Sequence, residues 1–271
     1  MINKEKISER IKEVSNLIGF DAIGFSAAQE LTEDKERLQE WLERGFNADM
    51  DFMKKNIEKR LNPTLLEDGC LSVITVLKNY YPADSTLSTT IPRIARFAYG
   101  NDYHKVMKSK MWLLFSFIKN ELFPQLKGRC FVDSAPVMER SLGVKAGLGW
   151  IGKNGMLINR KLGSYFFIGE LFVNLELPYN KIEIKNGCGT CSRCIESCPV
   201  NAINENKTID ANKCISYHTI ENKGVIPELI KSNLNGWIHG CDVCQETCPW
   251  NRFAKATNEP EFQPKNRLQI I

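Results

Sequence analysis

The chain has 271 residues, of which 43% are hydrophobic and 25% charged, the composition of an ordinary globular protein long enough to bury a sizeable core. Its first ten residues, MINKEKISER, are charged and have no apolar heart, and no stretch approaches the length of a membrane span. A secretory leader, a membrane partner and a secreted disulfide scaffold are therefore not expected, and the chain reads as cytoplasmic, in a reducing compartment. The formal charge of +4 says nothing for or against a nucleic-acid partner, because eight of the ten cysteines are spaced to bind metal as thiolates, which would change it.

Residues 3–18 carry Ile7, Ile11, Val14 and Leu17 at helical spacing and predict an amphipathic helix. A second helix is predicted from Asp34, with Leu38, Trp41 and Leu42 on one face. Residues 71–77 (LSVITVL) form a short β-branched run, the pattern of a buried strand. A basic helix is predicted over residues 103–122, and its Lys105, Lys108 and Lys110 read as a wet face before they read as phosphate ligands. Residues 129–132 predict a strand, and residues 164–177 a third extended region with Gly169 as a bend or bulge. Strands alternating with helices argue for an α/β or α+β domain over residues 1–184. Residues 180–187 are polar and read as a linker to a second domain, residues 185–271.

Residues 133–155 (DSAPVMERSLGVKAGLGWIGKNG) contain two misleading matches. Gly147, Gly149 and Gly152 fit a dinucleotide fingerprint, and Gly147 with Gly152-Lys153 fits most of a phosphate loop. Both motifs need a strand before the glycines and a helix after them. Here a helix, predicted over residues 136–146, precedes them, extended structure follows, and Asn154 stands where a hydroxyl is required. What remains is a glycine loop that either ends a helix or lets the backbone approach a bulky ligand. Asp133 falls at the junction of strand and helix. Periodicity favours helix capping by Asp133 or Ser134 over a proton-delivering carboxyl held partly out of water.

The last third carries the strongest pattern. Cys188, Cys191, Cys194 and Cys198-Pro199 form one run; Cys241, Cys244 and Cys248-Pro249 form a second, with Cys214 upstream. This is the spacing of a ferredoxin-like module with two 4Fe-4S clusters, in which the remote cysteine of each run serves the other cluster. That rule assigns Cys188, Cys191, Cys194 and Cys248 to one cluster, and Cys198, Cys214, Cys241 and Cys244 to the other. A zinc ribbon needs only four cysteines and leaves the Cys-Pro endings unexplained. Cys70 and Cys130 stand apart and read as small buried hydrophobes.

Several segments together resemble epoxyqueuosine reductase, a cobalamin-dependent iron–sulfur family that completes queuosine on tRNA. They are Tyr99-Gly100-Asn101-Asp102-Tyr103-His104, WLERGFNADMDFM from Trp41, FVDSAPVMER from Phe131, KAGLGWIGKNGMLI from Lys145, GSYFFIGELF from Gly163, CISYHTIENKG from Cys214 and GCDVCQETCPWNR from Gly240. The resemblance implies that electrons pass through two clusters to cobalamin, held between the two domains, whose cob(I) state drives loss of the epoxide oxygen as water. It implies Asp133 as the proton donor, shielded from water, which reverses the capping preference. Phe97, Gly149, Trp150, Ile151, Gly152, Lys153 and Asn154 are implied to line the corrin pocket, with Ser216 and Gly240 on the module side. Tyr103 and His104 are implied to face the substrate, while His218 and His239 read as satisfied local residues. The implied partners are tRNA with a queuosine-type anticodon loop and a separate electron-donor protein, the chain itself being a monomer.

Longer members of this family carry a helical-repeat extension after the cluster module, and the resemblance implies a short form without it. Two other readings stay open: a corrinoid-dependent reductase of another substrate, as in the related reductive dehalogenases, and a simple electron-transfer module for a protein partner. The second gives no reason for a large domain with a ligand loop.

Overall fold

The structure is a computed structural model, and it describes residues 3–82, 92–179 and 184–264. Residues 180–183 of the predicted linker lie outside the described residues. The chain opens with α1 (Lys4–Ile18), capped by the Asn3 side chain and ended by Gly19 at φ 99°, a left-handed conformation that glycine adopts without strain. Then come β1 (Ala22–Ala27), α2 (Thr32–Glu43), two short helices α3 (Ile57–Leu61) and α4 (Pro63–Leu66), and β2 (Ser72–Asn79). A short β3 (Arg93–Ile94) leads to α5 (Tyr103–Phe117), whose last turn widens into a π-type turn over Ile118–Leu122. β4 (Gly128–Phe131), α6 (Glu139–Lys145), the hairpin β5 (Trp150–Ile151) and β6 (Leu157–Ile158), and β7 (Phe166–Val173) follow. The remainder carries short pieces: α7 (Arg193–Glu196), α8 (Ile215–Ile220), α9 (Glu228–Lys231), β8 (Trp237–His239) and α10 (Val243–Glu246).

The main sheet has the order β1-β2-β7-β4, and every pairing in it is antiparallel. The architecture is therefore mixed helix and strand of the α+β kind, because alternation along the chain does not by itself make strands parallel. One face packs against α1 and α5 through Ile11, Met107, Met111 and Leu114, all with no exposed surface. The other face lies under α2 and α6, with Val73, Phe131, Leu142 and Phe172 between. β2 is buried along its whole length, which is why Val73, Ile74, Val76 and Leu77 do not alternate with exposed polar residues.

Two expectations are corrected. Gly169 makes no bulge: β7 keeps an unbroken register with β2. It is glycine because a Cβ there would stand 2.5 Å from Met111 Sδ on α5. The helix expected over residues 136–146 begins only at Glu139. Pro136 disfavours helix at Ala135, and the Val137 N–H closes a tight turn onto Ala135 O.

The cysteine-bearing part is tied to the sheet domain at several points. β3 pairs in parallel with β8, and the Trp41 indole N–H donates to Ile209 O at 2.7 Å. The segment after the last cysteine returns to the sheet domain: the Thr257 N–H donates to Tyr81 O, and Phe262 joins the core under α5. Buried Lys78 lies 3.4 Å from Asp21 and 3.9 Å from Glu259, and Lys110 pairs with Glu259 at 2.8 Å. Lys110 is thus spent inside the fold, while Lys105 remains exposed. Among the described residues no helix is long and apolar enough to cross a membrane.

Candidate redox and proton-transfer site

The short x₂ spacings hold each cysteine run in a tight loop opening into one turn of helix, α7 in the first run and α10 in the second. Cys188, Cys191, Cys194 and Cys248 line one small cavity, bordered by Lys153 and Asn154 of the glycine loop. Cys198, Cys214 and Cys241 gather at the edge of a second core built on Ala95, Val200, Ile215 and Trp237. Burial pushes the Cys241 thiol up to about 12, with the charges of Cys214, Asp242 and Cys198 adding to it. Cys244 is raised further, by burial and then by Cys241 and Cys214. In the first set burial raises Cys194, and Cys188, Cys248 and Cys191 add to it. Thiolates this close repel one another, so each set is suited to close around a cationic metal–sulfur core. Among the described residues no three His, Cys, Asp or Glu side chains converge on a single-ion site, which is the geometry a zinc site would need. Cys70 sits in the core and Cys130 beside it, as expected of small hydrophobes.

A row of aromatic rings leads from the module to the sheet. Gly240, at φ 69°, lets Phe97 approach; a Cβ would come within 3.0 Å of its ring and 2.6 Å of Ala95. Phe97 stands 5.7 Å from the His239 ring and 6.5 Å, edge-on, from Tyr103. Tyr103 stacks on Phe167 at 4.2 Å, their planes 1° apart, and on His104 at 4.0 Å. Asp102 caps α5 by accepting from the His104 N–H and also holds His104 Nδ1 at 2.9 Å, which fixes the ring over Tyr103.

Asp133 lies where this row ends. The Tyr103 hydroxyl donates to Asp133 Oδ2 at 2.5 Å, and the Asp133 N–H donates to Glu139 Oε1 at 2.6 Å. Its φ of 47° is left-handed, a conformation Asp and Asn tolerate better than most residues. Neither Asp133 nor Ser134 caps α6; Met138 holds that position without a side-chain bond. In the chain alone Asp133 is exposed, so the expected shielding is absent at this residue. The burial lies one step behind. Burial, then the Asp133 charge, pushes Glu139 up to about 7, and burial, then Glu139 and Asp133, holds Glu170 well above the carboxylate range. Tyr103 is raised too, by burial first and then by Asp133. Sequence reading missed Glu139 and Glu170. The available signal was a lone carboxylate inside the apolar stretch SYFFIGELFVNL.

The other residues tied to the corrin by resemblance are engaged within the protein. A Cβ on Gly149 would meet Ile158 O at 2.1 Å, and one on Gly152 would meet Ile158 Cδ1 at 2.5 Å, so both glycines serve the β5–β6 hairpin. Trp150 is buried against Trp250 at 4.9 Å, and Ile151 pairs with Leu157 across the hairpin. The buried Asn154 side chain donates to Cys244 O and accepts from the Met156 N–H. The structure thus brings Gly149–Asn154 against the cysteine module, and Phe97, Tyr103, His104, Asp133 and Gly240 along the aromatic row. Ser216 lies on α8, two residues after Cys214. His218 is held on both sides, by Asn212 O and Asn222 Nδ2.

Fold and thiols together define a double-cluster iron–sulfur oxidoreductase. Residues 60–134 match the family described as "Epoxyqueuosine reductase QueG, DUF1730", and residues 187–251 match "4Fe-4S double cluster binding domain". The chain is 44% identical over 266 residues to the epoxyqueuosine reductase of Cyclobacterium marinum, covering 98% of this chain and 86% of that one. It superposes with a TM-score of 0.87 and 29% identity on a crystal structure of epoxyqueuosine reductase with a tRNA-Tyr epoxyqueuosine-modified stem loop, covering 97% of this chain and 70% of the other. A catabolic reductive dehalogenase shares the fold alone, at 17% identity, a TM-score of 0.56, and 93% and 32% coverage. The chain belongs to the epoxyqueuosine reductase family.

Proposed function

We propose that this protein reduces epoxyqueuosine to queuosine in the anticodon loop of tRNA, with two 4Fe-4S clusters carrying electrons to a bound cobalamin. The reductase activity follows from near full-length similarity to epoxyqueuosine reductases. The observation that supports this use of the site is the row from Cys241 through Gly240, Phe97 and Tyr103 to the Tyr-held carboxyl of Asp133. It joins a redox module to an exposed acid across aromatic surface suited to a flat macrocycle. Cys188, Cys191, Cys194 and Cys248 would hold one cluster, and Cys198, Cys214, Cys241 and Cys244 the other. Phe97, Tyr103, Ser216 and Gly240 would border the cobalamin, with the backbone of the Gly149–Asn154 loop on the cluster side. Bound and reduced, cobalamin supplies the two electrons that open the epoxide and expel its oxygen.

The chain's own residues supply position and protons. Tyr103 and the Asp133 backbone bond to Glu139 fix the Asp133 carboxyl at the end of the row. Bound tRNA would cover that carboxyl and exclude water. Asp133 then protonates the departing oxygen. Lys105 and neighbouring exposed cations would meet phosphates of the splayed loop. A separate electron-donor protein would refill the clusters.

Anaerobic turnover of an epoxyqueuosine-containing stem loop with a strong reductant, with and without cobalamin, tests this. Queuosine formation that depends on cobalamin is expected. Cobalamin-independent product, or no product from protein carrying both clusters and bound cobalamin, would overturn the cofactor assignment.

A further inference from the structure

Glu170 occupies the middle of β7, opposite Thr75 on β2 and Phe131 on β4, on the sheet face covered by α6. It has no exposed surface, and neither carboxyl oxygen has a hydrogen-bond partner among the described residues. Thr75 Oγ1 beside it, and Ser26 Oγ on the same face, are likewise buried and unpartnered there. A carboxylate in such a place costs several kcal/mol unless paired. The charges that act on Glu170 are Glu139 and Asp133, both acids. The polar side chains that β1 and β2 bring to this face are Ser26 and Thr75, beside apolar Val73; α6 adds Glu139, Arg140 and Ser141, the last bonded to Asp34 of α2. Arg140 is exposed and acts on Glu139. Glu170 is therefore held as the neutral acid, which repels no neighbour.

This matters because epoxide removal takes two electrons and two protons, and Asp133 has one carboxyl proton to give. We propose that Glu170 and Glu139 keep a proton in store behind Asp133 and return it to Asp133 within each turnover. The inference rests on reading Asp133 as the proton donor. The first proton goes from Asp133 to the epoxide oxygen and leaves a carboxylate. The stored proton neutralises that carboxylate, which then delivers it as the oxygen departs as water. Two protons from solvent restore the site after each turnover, one to the Glu139–Glu170 pair and one to Asp133; only O–H bonds change in the relay, and both electrons come through the clusters. Neither glutamate touches substrate, so both are positioning residues acting through Asp133. A carboxyl buried without partners is costly to keep for structure alone, and its two acidic neighbours lead directly to the donor.

Glu170→Gln tests this, since glutamine keeps the shape and neutrality of the acid. Infrared difference spectra of the protein without added cobalamin should show a protonated-carboxyl C=O band that persists through neutral pH and is lost in Glu170→Gln. The pH profile of turnover in loaded enzyme should keep its acid side, while the alkaline limb moves down by about one pH unit, or about tenfold at a fixed alkaline pH. Glu139→Gln, at the first turn of α6, should move the same limb even if Glu170→Gln folds poorly. A wild-type spectrum without that band, a band that survives Glu170→Gln, or profiles parallel to wild type in both variants would overturn the store. Asp133→Asn separates the two readings: it should keep the band, and full activity in it would remove the donor role whatever Glu170 does.

Discussion

Two regions of this molecule gather acidic groups that repel one another, and they neutralise them differently. The cysteine module brings two sets of four thiols together and suits them to iron, whose positive charge turns repulsion into coordination. The face under α6 brings three carboxyls, Asp133, Glu139 and Glu170, into mutual influence with no cation among the charges acting on Glu170, so protons must do the neutralising. The difference follows from ligand softness and burial: thiolates bind metal strongly, while a buried carboxyl without a cation keeps its proton. One region is thereby suited to hold electrons and the other protons, and the reaction needs both.

The comparison is most easily broken at the thiols. Cys244→Ala should lose the second cluster, roughly halve the iron content, and cut turnover by about 100-fold or more, since even supporting shells of metal sites are worth 10–100-fold. Iron analysis and visible absorbance check this; full iron in the variant would remove Cys244 from the ligand set. Asp133→Asn should leave iron and visible absorbance unchanged and lower turnover by about 10²–10⁴-fold. Asparagine also tolerates the left-handed backbone at this position, so a loss of activity would report on the proton and not on misfolding.

A stability measurement sharpens the carboxyl side. The folded state raises Glu139 from the ordinary carboxylate range to about 7, so it binds this proton more tightly than the unfolded chain does. The resulting stabilisation is complete below about pH 4, and it is lost as pH rises toward and through 7. Glu139→Gln, whose amide oxygen can still accept from the Asp133 N–H, should therefore gain thermal stability relative to wild type as pH rises from 5 to about 8. Equal melting shifts at both pH values would mean that Glu139 is not protonated by the fold. The smallest expected effect lies on the other face of the same strand. Gly169→Ala would press a Cβ toward Met111 Sδ and should cost about 1–3 kcal/mol in denaturant unfolding, without changing the pH dependence.

Much of the helix and strand content was legible, and for local reasons. α1, α2, β2, α5 and β7 each announce themselves through periodicity or a β-branched run. β1 was missed because AIGFSA is short and weakly patterned. The glycine loop was half legible: its helix-before-turn order ruled out phosphate motifs, but that Gly149 and Gly152 make room for Ile158 depends on a hairpin partner farther along the chain. Asp133 showed the limit most clearly, because capping and acid chemistry place the same residue at the same junction.

The sequence by itself determined the double-cluster module, since most of its cysteines fall in short runs whose spacing carries the geometry, and it determined family membership through many ordered segments. Only the tertiary structure decided where these carboxyls are buried. Asp133, Glu139 and Glu170 come from a loop, a helix head and a central strand, and burial and mutual charge act through space. No spacing along the chain records which carboxyl is left in water and which keeps its proton.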